Sequence, residues 1–257
     1  MTTSGWLQRS ISPTISNRFD VLKTRVIPVL LWDARGLVKP IAFQRPGRFV
    51  GSLMSAAIIN ENRTCDELIL LDIDATPNGR GPRTAQIKQF TSKLFCPLTV
   101  GGGVRSLGDI RDLLKAGADK VVIRSHGTPE FIRRAADKFG SQCIVIAMDY
   151  DLRIREFVPD MARRIESYGA GEIILTNQDG DGVRCGYELM TLAKVCATVK
   201  IPVIANGGCS GPADMLAAIK VGAHAVAASS IFLYDNLTPA DCKEYLAKEG
   251  VPVRIET

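Results

Sequence analysis

Apolar residues fall into short unbroken runs from Arg25 onward, with mixed polar segments between them. The runs are VIPVLL (26–31), LILLDI (68–73), PLTV (97–100), KVVI (120–123), CIVIAM (143–148), EIILT (172–176), PVIA (202–205) and AVAAS (225–229). A strand covered on both faces reads this way, because neither face has to be polar. Between the runs, apolar positions recur every three or four residues, as in LGDIRDLLKAG (107–117), EFIRRAADKFG (130–140) and GPADMLAAIKVG (211–222). That spacing predicts helices, and the glycine closing the first two suits a helix C-terminus. Strands alternating with helices in this way predict a closed parallel barrel or a doubly wound open sheet.

An internal repeat separates the two. Displacing the chain by 105 residues lays DELILLDID (66–74) on GEIILTNQD (171–179), VGGGV (100–104) on ANGGC (205–209) and AGADKVVIRS (116–125) on VGAHAVAASS (221–230). One duplication of a four-strand half gives eight strands with pseudo-twofold symmetry, which favours the barrel. The expectation is a single (β/α)8 TIM barrel over residues 25–257, with an internal half-barrel duplication and an N-terminal leader or arm at residues 1–24.

Composition excludes several classes. The 257 residues are 46% hydrophobic and 23% charged, which rules out a disordered chain. The net charge is +5, and no Lys/Arg run is present, so no nucleic-acid partner is expected. No apolar stretch is long enough for a membrane span. Seven cysteines without a C-x-x-C pair read as reduced thiols, and the expected location is the cytoplasm. Two histidines outside any ligand pattern predict no metal site, and nothing calls for a cofactor. Residues 1–19 carry no acid, two Arg and four Ser. That composition overlaps with a transit peptide, and a polar arm is the plainer reading.

Barrels of this kind bind ligands at the C-terminal ends of their strands, where glycine-rich loops and helix N-termini receive phosphates. Gly101, Gly102 and Gly103 follow one run, and the next run ends in Arg124-Ser125, a cation and a hydroxyl. The repeat supplies Gly207-Gly208 with Ser229-Ser230. Two matched anion cradles predict a ligand with two phosphates, whereas either copy alone could be only a tight turn. Asp149 follows a wholly apolar run. Partial burial there would raise its proton affinity and suit it to general acid or base work, and a helix N-cap is the equally available structural role. Asp181 and Gly182 lie in DGDG (179–182), a turn open to either reading. Lys39 sits in what reads as a polar loop after the first run, from which it could reach over the mouth to an anion, although a solvated lysine is the default. At the opposite ends of the runs stand Arg25, Glu67, Lys120 and Glu172, four charges able to close the barrel bottom as a salt-bridged ring.

RVIPVLL…GLVK, DELILLDIDA, PLTVGGGVRS, GADKVVI, FGSQCIVIAMD, GAGEIILT…DGDG…GY, IPVIANGG and KEYLAKEGVPVR together resemble the cyclase subunit of imidazole glycerol phosphate synthase, the HisF type, over residues 25–257. The resemblance implies a barrel that takes ammonia from a glutaminase (HisH-type) partner. With it, the barrel splits and cyclises a bisphosphorylated ribulosyl-aminoimidazole carboxamide compound. The products are imidazole glycerol phosphate and an aminoimidazole carboxamide ribotide. By resemblance, Gly103 and Ser125 hold one phosphate, and Gly208, Ser229 and Ser230 the other. Asp149 matches the family's second catalytic aspartate, and Lys39, Thr176 and Asp181 match substrate-contacting positions, so that Asp149, Lys39 and Asp181 are the expected catalytic residues. Arg25, Glu67, Lys120 and Glu172 match the charged gate for ammonia.

The chain departs from the family pattern where the first catalytic aspartate belongs, which here is Leu31, a residue that cannot exchange a proton. Arg124 replaces a family Asn, Asn206 replaces a family Ser, and the segment after Asp149 is shortened. A diverged branch associated with surface-polysaccharide biosynthesis also reads Leu-Leu at that point and carries GLVK and LDIDA. In that branch the barrel and a glutaminase supply ammonia to a separate sugar amidotransferase that makes acetamidino sugars. This chain resembles that branch more closely. The expected function is therefore ammonia handling at a two-phosphate site, with a glutaminase, a phosphorylated small molecule and a sugar amidotransferase as partners. A genuine histidine-pathway cyclase is the alternative, and a non-catalytic subunit that only docks and activates the glutaminase is a second.

Overall fold

The computed structural model describes residues 23–124 and 126–255. Most of the expected N-terminal arm, and Ser125, lie outside the described residues. In chain order the strands are β1 (Arg25–Asp33), β2 (Gly36–Lys39), β3 (Arg48–Gly51), β4 (Leu68–Asp72), β5 (Leu98–Gly101), β6 (Lys120–Ile123), β7 (Ile144–Tyr150), β8 (Glu172–Asn177), β9 (Val203–Asn206) and β10 (Ala225–Ala228). Strands β1 and β4 to β10 pair in parallel in sequence order. The pairing of β10 with β1, from Ala225 opposite Arg25 to Ala228 opposite Pro28, closes the sheet. The architecture is the (β/α)8 barrel, and this closing pair excludes the open sheet.

Alternate residues of a strand face opposite sides. Ile27, Val29, Leu31, Ile69, Val122, Val145, Ile174, Ile204, Ala225 and Ala227 fill the barrel interior. Their neighbours Val26, Leu30, Leu68, Leu70, Val121 and Ile173 belong to a larger cluster packed under the helices. Both faces of each of the eight barrel strands are largely buried, which is why the runs are unbroken.

The helices are α1 (Leu53–Asn62), α2 (Thr84–Thr91), α3 (Leu107–Lys115), α4 (Pro129–Phe139), α5 (Val158–Ser167), α6 (Leu189–Thr198), α7 (Pro212–Lys220), α8 (Ser230–Tyr234) and α9 (Pro239–Lys248). Ser106 with Asp109 and Thr238 with Asp241 form capping boxes at the starts of α3 and α9. Gly117 and Gly140, the glycines expected at helix ends, have φ of +101° and +87°. No helix among the described residues is long and apolar enough to cross a membrane.

One element departs from expectation. Strands β2 and β3 form an antiparallel hairpin after β1, with Leu31 opposite Val38 and Trp32 opposite Leu37. Only two apolar residues in GLVK mark it, so it reads as a loop. Lys39 therefore ends a strand, and its side chain is only 3% exposed rather than solvated. The hairpin tip brings Pro40, Phe43 and Arg45 to the C-terminal mouth.

Candidate active site

The period-two alternation that fills the interior also carries polar groups to both ends of the barrel. Along β6 the inward row runs Lys120, Val122, Arg124, and along β8 it runs Glu172, Ile174, Thr176. Charges stand at the N-terminal end, apolar side chains fill the middle, and the chemistry-bearing groups stand at the C-terminal end.

At the C-terminal end lies a cavity of about 380 Å³. Val29, Leu31, Leu71, Val122, Ala147 and Ile174 supply apolar lining, and Lys39, Asp149, Thr176, Asp181, Asn206 and Ser229 supply polar groups. Asp149 is the penultimate residue of β7, with its side chain 8% exposed. It does not cap a helix: the strand runs on to Tyr150, and the residue before α5 is Phe157. Burial pushes the Asp149 carboxyl above its ordinary range. The opposing charge of Arg124 and a hydrogen bond with Thr176 only partly offset that rise, and Asp181 adds to it. Thr176 stands opposite Asp149 in register, and its Oγ1 accepts from Asn206 Nδ2 at 3.1 Å.

Lys39 Nζ donates to Asp181 Oδ1 at 2.8 Å, both groups buried. The DGDG turn is thus tied across the mouth to β2. The backbone carbonyl of Asp181 also accepts from Ala42 N–H at 2.7 Å. Gly182 packs there with a φ of +78°, and an added Cβ would lie 2.9 Å from the Pro40 carbonyl oxygen. Arg124, expected as a phosphate cation, pairs through Nε with Asp149 and stacks over the Phe43 ring at 5.5 Å. Leu31 lines the cavity with 9% exposure. The remaining cavity acid, Asp72, is held by Arg80 at 2.7 Å and Arg83 at 3.4 Å.

The two glycine turns share a backbone conformation. Gly102 and Gly103 have φ of +119° and +71°, and Gly207 and Gly208 have φ of +85° and +105°. The conformation alone requires glycine, so the turn reading accounts for their identity. Two further observations point to an anion. Among the described residues, the amides of those four glycines donate to no protein acceptor. The Ser229 hydroxyl is buried without a hydrogen-bond partner, in a small recess shared with Gly207, Gly208 and Ser230. Ser230 opens α8 beside it. Buried polar groups left unpaired are rare in folded proteins, and a bound phosphate would satisfy both the amides and the hydroxyl. A Cβ on Gly208 would lie 2.1 Å from the Gly186 carbonyl oxygen. Gly208→Ala is therefore expected to cost on the order of 3 kcal/mol in chemical denaturation.

At the N-terminal end the four expected charges do form a ring. Arg25 Nη1 meets Glu67 Oε2 at 2.5 Å, and its Nη2 pairs with Glu172. Lys120 Nζ reaches Glu67 Oε2 at 3.0 Å and Glu172 Oε2 at 2.8 Å. Burial alone would raise the Glu67 carboxyl, but Lys120, Arg25 and the Thr99 hydroxyl outweigh it and hold Glu67 below the ordinary glutamate range. Phe95, 94% exposed, stands beside this end in the loop leading into β5.

Sequence reasoning missed Phe43, Arg45 and His126 among the cavity residues. The first two depend on the hairpin, and no local pattern marks them.

A family model described as histidine biosynthesis protein matches residues 25–238. The chain belongs to this family. Three curated members of it align with nearly the whole barrel. A Campylobacter jejuni protein provisionally named imidazole glycerol phosphate synthase subunit hisF2 is 40% identical over 91% of this chain and 100% of its own length. Imidazole glycerol phosphate synthase subunit HisF of Clostridium botulinum is 38% identical over 91% of this chain and 100% of its own. The HisF subunit of Dictyoglomus thermophilum is 38% identical over 92% and 100%.

Proposed function

We propose that this barrel receives ammonia at its charged end from a glutaminase subunit and relays it through a two-phosphate site at the opposite mouth. We place it in the diverged, polysaccharide-linked branch of the family, where a sugar amidotransferase takes the nitrogen. The observation that carries the branch assignment is Leu31, an apolar residue in the cavity that holds Asp149. Paired acid/base chemistry needs two groups that exchange protons. Asp149 pairs with the half-exposed Arg124, whereas Asp181 is held by the buried Lys39 and Asp72 by Arg80 with Arg83.

The ring supports the partner. Four partly desolvated charges add little stability over apolar residues of the same size, so their presence favours a functional reading. Phe95 offers an exposed aromatic anchor at that end, the residue type that dominates interface energetics. The unpaired Ser229 hydroxyl and the free glycine amides support the phosphates. Within this reading Gly103, Arg124 and Ser125 serve one phosphate. Asn206, Gly207, Gly208, Ser229 and Ser230 serve the other, and Lys39, Thr176, Asp181 and Gly182 position the ligand.

The test pairs the barrel with its glutaminase subunit. Glutamine hydrolysis is expected to rise when the barrel is added, while the barrel fails to restore growth of a histidine auxotroph lacking the cyclase. Restored growth overturns the branch assignment. That second reading, a true cyclase working from one carboxyl, draws on the buried Asp149, whose proton affinity is already raised. Stimulated glutamine hydrolysis with ammonia relay unchanged in Asp149→Asn would reduce the barrel to a docking subunit.

A further inference from the structure

Arg124 is the cation at the mouth that touches the candidate reacting carboxyl. Its Nε pairs with Asp149, and its guanidinium lies over Phe43 on the hairpin tip. The two partners differ in freedom. The Arg124 side chain is 50% exposed, whereas Asp149 is anchored in β7 and 8% exposed. The arginine can leave the pair without disturbing the core, and the aspartate cannot follow it.

A competitor's place lies close by. Strand β6, which ends just before Arg124, pairs with β5, with Val122 opposite Gly101. Gly102 and Gly103 follow directly, with unpaired amides, and line the same cavity as Arg124. A phosphate seated there offers the guanidinium a two-oxygen, charge-assisted contact that competes with its pairing to Asp149.

We propose that Arg124 is a displaceable latch: an anion seated at the Gly102–Gly103 turn draws its guanidinium off Asp149 and leaves that carboxyl ready to bind a proton. Arg124 is thus a positioning residue that times the protonation of Asp149 to ligand arrival. The inference rests on the phosphate reading of that turn.

The other groups around Asp149 determine what happens when Arg124 leaves. From β8 comes the neutral hydroxyl of Thr176, and beyond β8 the carboxylate of Asp181, itself engaged by Lys39 from β2. Asp72, Arg45 and His126 line the cavity further around, with Asp72 held by Arg80 and Arg45 bonded to the Ile73 carbonyl. Once Arg124 leaves, burial and the Asp181 charge both favour the protonated form of Asp149.

Carboxyl carbon NMR of the full chain, labelled with ¹³C-aspartate, tests the latch. The Asp149 signal is assigned by its loss in Asp149→Asn, and sulfate serves as the probe because it carries no titrating proton near neutral pH. Saturating sulfate is expected to raise the Asp149 titration midpoint enough to increase its proton affinity about tenfold or more. Arg124→Asn is expected to show the raised midpoint without sulfate, and no further rise with it. Sulfate that shifts the Gly102 and Gly103 amide signals but leaves the Asp149 midpoint unchanged overturns the latch while the phosphate reading stands. An equal rise in Arg124→Asn also overturns it, because the anion's own charge would then be the cause. No shift of those amide signals at saturating sulfate removes the phosphate reading and the latch together.

Discussion

Leu31→Asp is expected to raise ammonia-dependent turnover of the bisphosphorylated ribulosyl-aminoimidazole carboxamide compound by roughly 100-fold or more over the unsubstituted barrel, the lower range for one positioned acid or base. Leu31 lines the same cavity as Asp149 and stands between Val38 and Leu71 in register. An aspartate there places a second carboxyl in the cavity, so that one acid can donate a proton while the other accepts. The substitution also puts a polar group into apolar surroundings, at a cost of about 1–3 kcal/mol. Leu31→Asn carries a similar cost without a titrating group, and its turnover is expected to stay at the starting level. Equal rates for Leu31→Asp and the unsubstituted chain would mean that the missing aspartate does not limit the chemistry.

The second large effect concerns the ring. Glu67→Ala is expected to destabilise the barrel by about 3–5 kcal/mol, because Arg25 and Lys120 each lose a partner in a partly desolvated site. Urea denaturation near neutral pH measures the loss. The pH dependence has a definite sign. Arg25, Lys120 and Thr99 hold the folded-state carboxyl below its ordinary range despite burial. The stability it contributes is complete above the ordinary glutamate range and disappears as pH falls through the lower folded value. Glu67→Gln, which cannot titrate, is expected to flatten that part of the acid limb. An unchanged acid limb in Glu67→Gln would place the acid sensitivity elsewhere.

The barrel was legible because its physics is local. A strand buried on both faces must be apolar throughout, so eight runs mark eight strands, with ends shifting by one or two residues. The charged ring was equally legible, because Arg25, Lys120 and Glu172 open their strands and Glu67 stands just before its own. The β2–β3 hairpin was not. Its pairing with β1 is a tertiary choice, and Leu37 with Val38 is too short a signal. Everything that depends on the hairpin was hidden with it, including the buried Lys39–Asp181 pair and the Phe43 ring under Arg124. Arg124 itself was visible as a cation at a strand end, but its attachment to Asp149 follows from side-chain packing across β6 and β7, which residue spacing does not encode.

The central claim is that this barrel keeps the family's ammonia gate and phosphate cradles but lacks half of its acid/base pair. One assay bears on it most directly. Purified barrel is given the bisphosphorylated histidine-pathway intermediate with excess ammonium salt, and loss of substrate absorbance is followed, with Asp149→Asn as control. The intermediate is expected to bind, with turnover no faster than the background rate that Asp149→Asn also shows. Turnover that Asp149→Asn abolishes would contradict it, and would make the chain a working cyclase that needs only one of the two carboxyls.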